Sequence, residues 1–198
     1  MQPLGKSRLE AFSDGVVAII VTIMVLELKV PHDASLHGLV QLTPLFLSYA
    51  LSFLVVAILW VNHHHLLHTA HAVTGRMLWL NNHFLFWLSL VPFTTAYIGE
   101  NHLAPLPVAL YGLVLCLAGS AFDLLRRDIA RTQEGEPALA AMHHRSSRLN
   151  VASALLYLAA VPLAWVSVWL SVAIYLLIPV AYFMPRNIEK MAAGQQPA

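Results

Sequence analysis

Charge is what this chain has least of. Asp, Glu, Lys and Arg together make up 11% of its 198 residues, under half the share of an average soluble domain. That scarcity excludes an ordinary water-soluble fold. Cysteine is nearly absent as well. The single Cys116 lies inside an apolar run, so there is no disulfide framework and no secreted-domain reading. No basic patch with interleaved aromatics occurs, which sets nucleic acid aside as a partner. Nucleophile elbow, Walker loop and Ser-x-x-Lys motifs are all missing. With no convergent catalytic set, neither an enzyme nor a cofactor is expected.

What is present is hydrocarbon. The chain is 59% hydrophobic, with a mean hydropathy of +0.69. A bilayer-spanning helix needs roughly 20 mostly apolar residues, and several stretches qualify. The reading is an all-α polytopic membrane protein with the lipid bilayer as its solvent. Lys6 and Arg8 look like the start of a signal peptide, but Glu10 and Asp14 follow and no small-x-small site ends the run. The segment reads as a retained first membrane helix.

Helix one is expected from Ser7, where Ser7-Arg8-Leu9-Glu10 has the capping-box pattern, and it stops before Pro31. Helix two starts with Thr43 as N-cap and Pro44 at the first helical position, and runs to about His68. Helix three covers about Met77 to Ile98, kinked at Pro92. Helix four follows Pro105 and Pro107 and ends at Arg126-Arg127. The apolar segment from Arg148 to Met184 is too long for one span and divides at a turn around Pro162 to Val166. This makes six transmembrane helices. Residues 1–190 form one six-helix domain, and 191–198 a disordered tail. The polar stretch 127–147, with the turn TQEGEP at 132–137, is a cytoplasmic loop without assigned chemistry.

Charge placement supports the count. With the N-terminus inside, Lys6, Arg8, Arg76, Arg126, Arg127, Arg131, Arg145, Arg148, Arg186 and Lys190 all face the cytoplasm, and only Lys29 lies outside. Ten of eleven basic residues on one side is the asymmetry the positive-inside rule demands. Five spans would spoil it, so both termini are read as cytoplasmic.

The first helix, RLEAFSDGVVAIIVTIMVLEL (residues 8–28), has two distinct faces. At about 100° per residue, Phe12, Gly15, Thr22, Ile23 and Leu26 all fall within about 60° of Ile19. Asp14 falls about 140° away, beside Val17 and Val21. If the Ile19 stripe lines a pathway, Asp14 points away from it into neighbouring helices. Ordinary helix packing makes the same pattern, and periodicity alone favours that plainer reading. Glu27, about 80° from Ile19, either adds negative potential at an outer mouth or pairs with Lys29.

Polar groups from three helices reach one depth in the inner leaflet. Ser13 and Asp14 lie about two turns into helix one, Asn62 and His63 near the inner end of helix two, and Asn81, Asn82 and His83 early in helix three. Ionisable groups inside a membrane are costly and find partners in the bundle. The expectation is a buried network of Ser13, Asp14, His63 and Asn81, with Arg8 joining at the inner edge. It acts as structural glue for helix one.

Histidine is abundant, with 11 in the chain. Neighbouring histidines on a helix diverge, so only His64, His68 and His71, at i, i+4 and i+7, share a face on which Zn²⁺ could bind. No HExxH motif, Cys or carboxylate stands in the stretch NHHHLLHTAH, so a polar belt at the cytoplasmic interface is preferred to a metal site. His143-His144, in the basic loop, is read as solvated.

One set of residues points further. Arg8-x-x-x-Phe12-Ser13-Asp14, followed by Ala18-Ile19 and Thr22, resembles the signature of the endosomal and lysosomal potassium channel family, transmembrane protein 175. Trp60, His63, Asn81 and Pro92 continue the match, which spans roughly the first half of the chain. The resemblance implies a single-repeat prokaryotic member, a homotetramer in the plasma membrane with helix one of each subunit around a central pore. It implies that Ile19 forms a hydrophobic constriction and that Ile23 and Leu26 form further apolar layers. Thr22 would be the layer linked to cation preference, and Arg8, Phe12, Ser13, Asp14, His63 and Asn81 the polar structural set. Potassium ions would be the permeant species, other monovalent cations less favoured. The TVGYG filter of ordinary potassium channels is missing.

Two other classes stay open. A small secondary or proton-coupled transporter could use Asp14 and His63 as a relay. A broken helix or an inverted repeat would favour it, and neither is evident in the sequence. A haem- or metal-binding redox protein is the other, without diagnostic ligand spacing.

Overall fold

The computed structural model describes residues 5–31, 33–132 and 151–183, the side chains of 179–183 aside. The loop residues 133–150, with most of the TQEGEP turn, His143, His144, Arg145 and Arg148, lie outside the described residues. So do Arg186, Lys190 and the tail 191–198.

Eight helices stand among the described residues: α1 (Lys6–Leu26), α2 (Leu36–Gln41), α3 (Thr43–Thr69), α4 (Gly75–Leu88), α5 (Val91–Glu100), α6 (Pro105–Arg131), α7 (Val151–Leu163) and α8 (Val168–Phe183). By length and composition α1, α3 and α6 can each cross a membrane, and α7 and α8 are shorter apolar helices.

The boundaries depart from expectation in instructive ways. α1 begins at Lys6, behind Gly5 in extended backbone, with no side-chain cap. The Ser7–Glu10 capping box does not form, because the N-cap position falls at Gly5 and Ser7 already lies inside the helix; Glu10 Oε1 stands 4.0 Å from His68 Nδ1 of α3. A short α2 precedes α3, started by Ser35, whose Oγ accepts from the Gly38 N–H. Thr43 and Pro44 are therefore the first residues of α3, with Leu42 as its N-cap.

Helix three is interrupted where the kink was expected, with Ser89 and Leu90 still in right-handed helical backbone. α4 ends at Leu88, and α5 restarts at Val91 after a turn at Ser89 and Leu90. Pro92 has no N–H to give the Leu88 carbonyl and its ring crowds that same group, so the break falls between them. Helix four runs past Arg126-Arg127 to Arg131. Asp123 binds Arg126 Nη2 and Arg127 Nε, both at 2.6 Å, and Asp128 binds Arg76 of α4 at 3.0 Å. Charges satisfied along the helix let it continue. The α7–α8 turn occupies residues 164–167, and Ser171 Oγ clasps it by donating to the Ala160 carbonyl at 2.9 Å.

α6 is the central post. Its most extensive packing is against α4, and it also meets α5 and α8. Val108, Tyr111, Ala118, Ala121 and Leu125 have no exposed surface. Gly112 admits the α8 residue Tyr175: a Cβ there would overlap the Tyr175 hydroxyl, which donates to the Val108 carbonyl at 3.0 Å. α1 lies at the edge, resting on α3, α4 and α5.

Candidate pore helix and its polar support

α1 buries Leu9, Ser13, Val17, Ile20 and Met24, spaced three or four apart as a single helix face requires. The opposite side is bare. Phe12, Ile19, Ile23 and Leu26 are exposed apolar side chains, and Ala11, Gly15, Ala18 and Thr22 are exposed among them. Thr22 Oγ1 donates to the Ile19 carbonyl at 2.9 Å. With its proton used in the helix, the hydroxyl presents lone pairs outward.

Behind α1, Ser13, His63 and Asn81 meet, all essentially without exposed surface. Asn81 Nδ2 donates to Ser13 Oγ at 3.0 Å, and Ser13 Oγ donates to the Leu9 carbonyl at 2.8 Å. His63 Nε2 lies 2.7 Å from Asn81 Oδ1, so Nε2 carries the proton, and the ring stacks on Phe84 at 5.1 Å. One side chain on each of α1, α3 and α4 thus closes a buried chain of hydrogen bonds.

Asp14 does not join this triad. It is half-buried and accepts from Trp60 Nε1 at 2.8 Å. Arg8 and Phe12 are exposed, and neither is brought to the triad. Sequence reasoning did not pair Trp60 with Asp14, although an indole N–H one helix away is a natural donor for an intramembrane carboxylate. It also missed a second network towards the N-terminal half of α3. There Thr95 Oγ1 donates to Ser52 Oγ at 2.6 Å, and Ser52 Oγ donates to the Tyr111 hydroxyl at 3.1 Å. Ser48 and Ser52, four apart on one apolar helix, were the available signal.

The histidines disperse as expected of neighbours on a helix. His63 points inward, while His64 stacks near Trp60 and meets His68 edge-on at 4.5 Å. Among the described residues no three ligating side chains gather to hold a metal ion. Both ends of α1 are tied down: Lys6 Nζ donates to the His68 carbonyl at 2.7 Å, and Lys29, just past the helix, pairs with Glu100 at 2.9 Å. Between α1 and α5 runs an open groove of about 640 Å³, lined by Ile19, Ile23, Phe93 and Tyr97 and carrying Glu27 and Glu100.

The fold and this site define a multi-pass α-helical membrane protein in which one sparsely packed helix is braced from behind by buried polar groups. A family model described as endosomal/lysosomal potassium channel TMEM175 matches residues 8–92. The chain is 43% identical to a potassium channel of Chryseobacterium sp. (strain P1-3) over 186 residues, 93% of this chain and 96% of that protein. It is 35% identical to a potassium channel of Streptomyces collinus, covering 89% of this chain and 91% of that one. Its fold matches the crystal structure of a lysosomal potassium-selective channel TMEM175 homolog from Chamaesiphon minutus with a TM-score of 0.80 at 28% identity, covering 92% and 98% of the two chains. The chain belongs to the TMEM175 family.

Proposed function

We propose that this protein is a potassium-preferring cation channel, with four subunits placing their α1 helices around a central pore in a prokaryotic plasma membrane. Six crossings with both termini cytoplasmic complete the arrangement. The observation that carries the reading is what stands on α1's bare face. Exposed α3 positions hold Phe46, Leu47, Phe53 and Leu54, bulky groups suited to lipid. Exposed α1 positions instead include Ala11, Gly15, Ala18 and Thr22, small groups that let helices approach closely. The likeness to potassium channels of two bacteria over nine-tenths of the chain supports the choice of ion.

In this reading Ile19, Ile23 and Leu26 form successive apolar rings, narrowest at Ile19. A ring tight enough to expel water is shut by dewetting, so opening requires α1 to move outward. Four Thr22 hydroxyls, their protons held by the Ile19 carbonyls, offer oxygens that replace part of an ion's hydration shell. Few oxygens make for modest discrimination. Ser13, Asp14, His63 and Asn81 act from behind, fixing the helix without touching the ion.

The break between α4 and α5 is the observation that favours a carrier. Pro92 accounts for it sterically, and the threonine hydroxyls beside it are engaged. The Thr94 hydroxyl returns to the Val91 carbonyl at 3.0 Å and the Thr95 hydroxyl donates to Ser52 Oγ at 2.6 Å, leaving neither turned to a substrate. Proteoliposomes decide between the readings. A potassium gradient should drive flux that does not saturate, and Ile19→Asn should raise it about tenfold by wetting the constriction. Absent flux, saturable proton-coupled uptake, or an Ile19→Asn variant equal to wild type would defeat the channel.

A further inference from the structure

A crevice between α3, α6, α7 and α8 takes no side chain from α1. It encloses about 50 Å³ against Val55, Ile58, Leu115, Phe122 and Ile178. Two of its aromatic walls are held back by their own packing. Phe122 meets Phe84 ring to ring at 5.5 Å, and Tyr157 meets Tyr175 at 6.0 Å. Gly119 also stands on the wall, and nothing lies within 4 Å of an added Cβ there. Protein interiors seldom keep such room, because atoms lining unfilled space lose their contacts.

One polar group on the wall is unfinished. Asn62 is partly buried, and its carboxamide has no hydrogen-bond partner among the described residues. Its neighbour His63, by contrast, is bonded to Asn81. A carboxamide can give two hydrogen bonds and accept two, and leaving it unpaired among apolar walls is unfavourable. A hydrocarbon tail would fill the space and leave the amide unpaired. Water would pair the amide and leave the apolar walls wet, where few partners hold it. A molecule with one polar end and an apolar body does both. Room for roughly four water-sized spheres limits that body to a few carbons. We propose that the crevice is a binding site for a small neutral amphiphile, an alcohol about the size of butanol. Its hydroxyl pairs with Asn62, and its chain lies against Ile58, Leu115 and Ile178, apolar walls with a single polar anchor as in many small-molecule sites. The inference goes beyond the channel reading and does not depend on it.

The experiment is a methyl NMR titration of the full chain in lipid nanodiscs, labelled at isoleucine, with n-butanol as the probe. The Ile58 and Ile178 methyl signals should shift and saturate, with a half-point at roughly 1–10 mM, as expected for a ligand of so few atoms. Asn62→Leu, close in size, should weaken binding about fivefold, the worth of one neutral hydrogen bond. n-Pentane, compared at equal concentration in the membrane, should bind wild type more weakly than butanol and lose that handicap in Asn62→Leu. Gly119→Leu should fill the crevice and abolish the saturable shift; a shift that survives it places the ligand elsewhere and overturns the inference. Wild-type signals that drift linearly mark partitioning into the bilayer, and signals that stay still mark a crevice already filled by a lipid tail. Either result overturns the inference. So does an Asn62→Leu variant that binds butanol as wild type does, which would leave a void without polar recognition. Potassium flux enters none of these readings, so a failed channel assay leaves the site untouched.

Discussion

α1 and α6 are both long, apolar and able to cross a bilayer, yet they sit in opposite circumstances. Of the most apolar 18-residue window, 67% is buried in α6 and 28% in α1. α6 meets α4, α5 and α8 and spends its small residues on them, with Gly112 under Tyr175 and Ala118 and Ala121 wholly enclosed. α1 carries its small residues Ala11, Gly15 and Ala18 on the bare side, with Thr22 among them, and Ser13 behind. In lipid a bare apolar face costs little in itself, so exposure alone does not mark a function. The distribution of residue size does. A helix that hides Ser13 and exposes Gly15 suits the close helix contacts of the tetramer proposed above.

Three substitutions, two of them with a matched control, test that contrast. The largest effect is expected from Ala18→Trp, which should prevent tetramer assembly altogether, as measured by native mass spectrometry or light scattering in detergent. The matched Leu124→Trp, on the exposed side of α6, should leave assembly intact. Equal behaviour of the two, or a wild type that is monomeric, would erase the distinction between the helices. Next in size is Gly112→Val, which drives a branched side chain into the Tyr175 hydroxyl. Overpacking of this kind costs about 2 kcal/mol and should appear as a fall in the thermal midpoint of the detergent-solubilised protein. Gly15, with nothing within 4 Å of an added Cβ, should accept alanine without such a fall; a comparable loss there would mean α1's bare face is already covered within one subunit. The smallest effect belongs to Asp14→Ala, which removes the Trp60 bond. Hydrogen bonds between membrane helices are worth about 1 kcal/mol, so tetramer yield should drop modestly while ion preference holds. Changed selectivity in intact tetramers would place Asp14 on the ion path and contradict the supporting role proposed for it.

Much of α1 was legible in advance because helical periodicity is local. A residue's bearing from Ile19 depends only on counting, and Asp14 lies half-buried against α3 while Ile19 is exposed. Capping was less legible. The Ser7–Glu10 pattern is genuine chemistry, but the N-cap falls two residues earlier, at Gly5, so Ser7 is not in the capping position. The helix break was visible as Pro92 but not its extent, because whether proline kinks or severs a helix depends on what else can satisfy the freed carbonyls. The far end of α6 was misjudged for a similar reason. Two adjacent arginines look like a membrane exit until Asp123 and Asp128 are seen to neutralise and extend that turn.

The sequence by itself determined that this is a polytopic membrane protein, where its apolar runs lie and which way each face of α1 turns. Lipid demands long uncharged segments, and the helix has a single period. Only the tertiary structure decided who meets whom. Trp60 reaches Asp14 across 46 residues, Asn81 reaches Ser13 across 68, and Glu100 reaches Lys29 across 71. Such pairings depend on which helices stand side by side and at what height, and that is settled by the packing of all of them together rather than by any one segment.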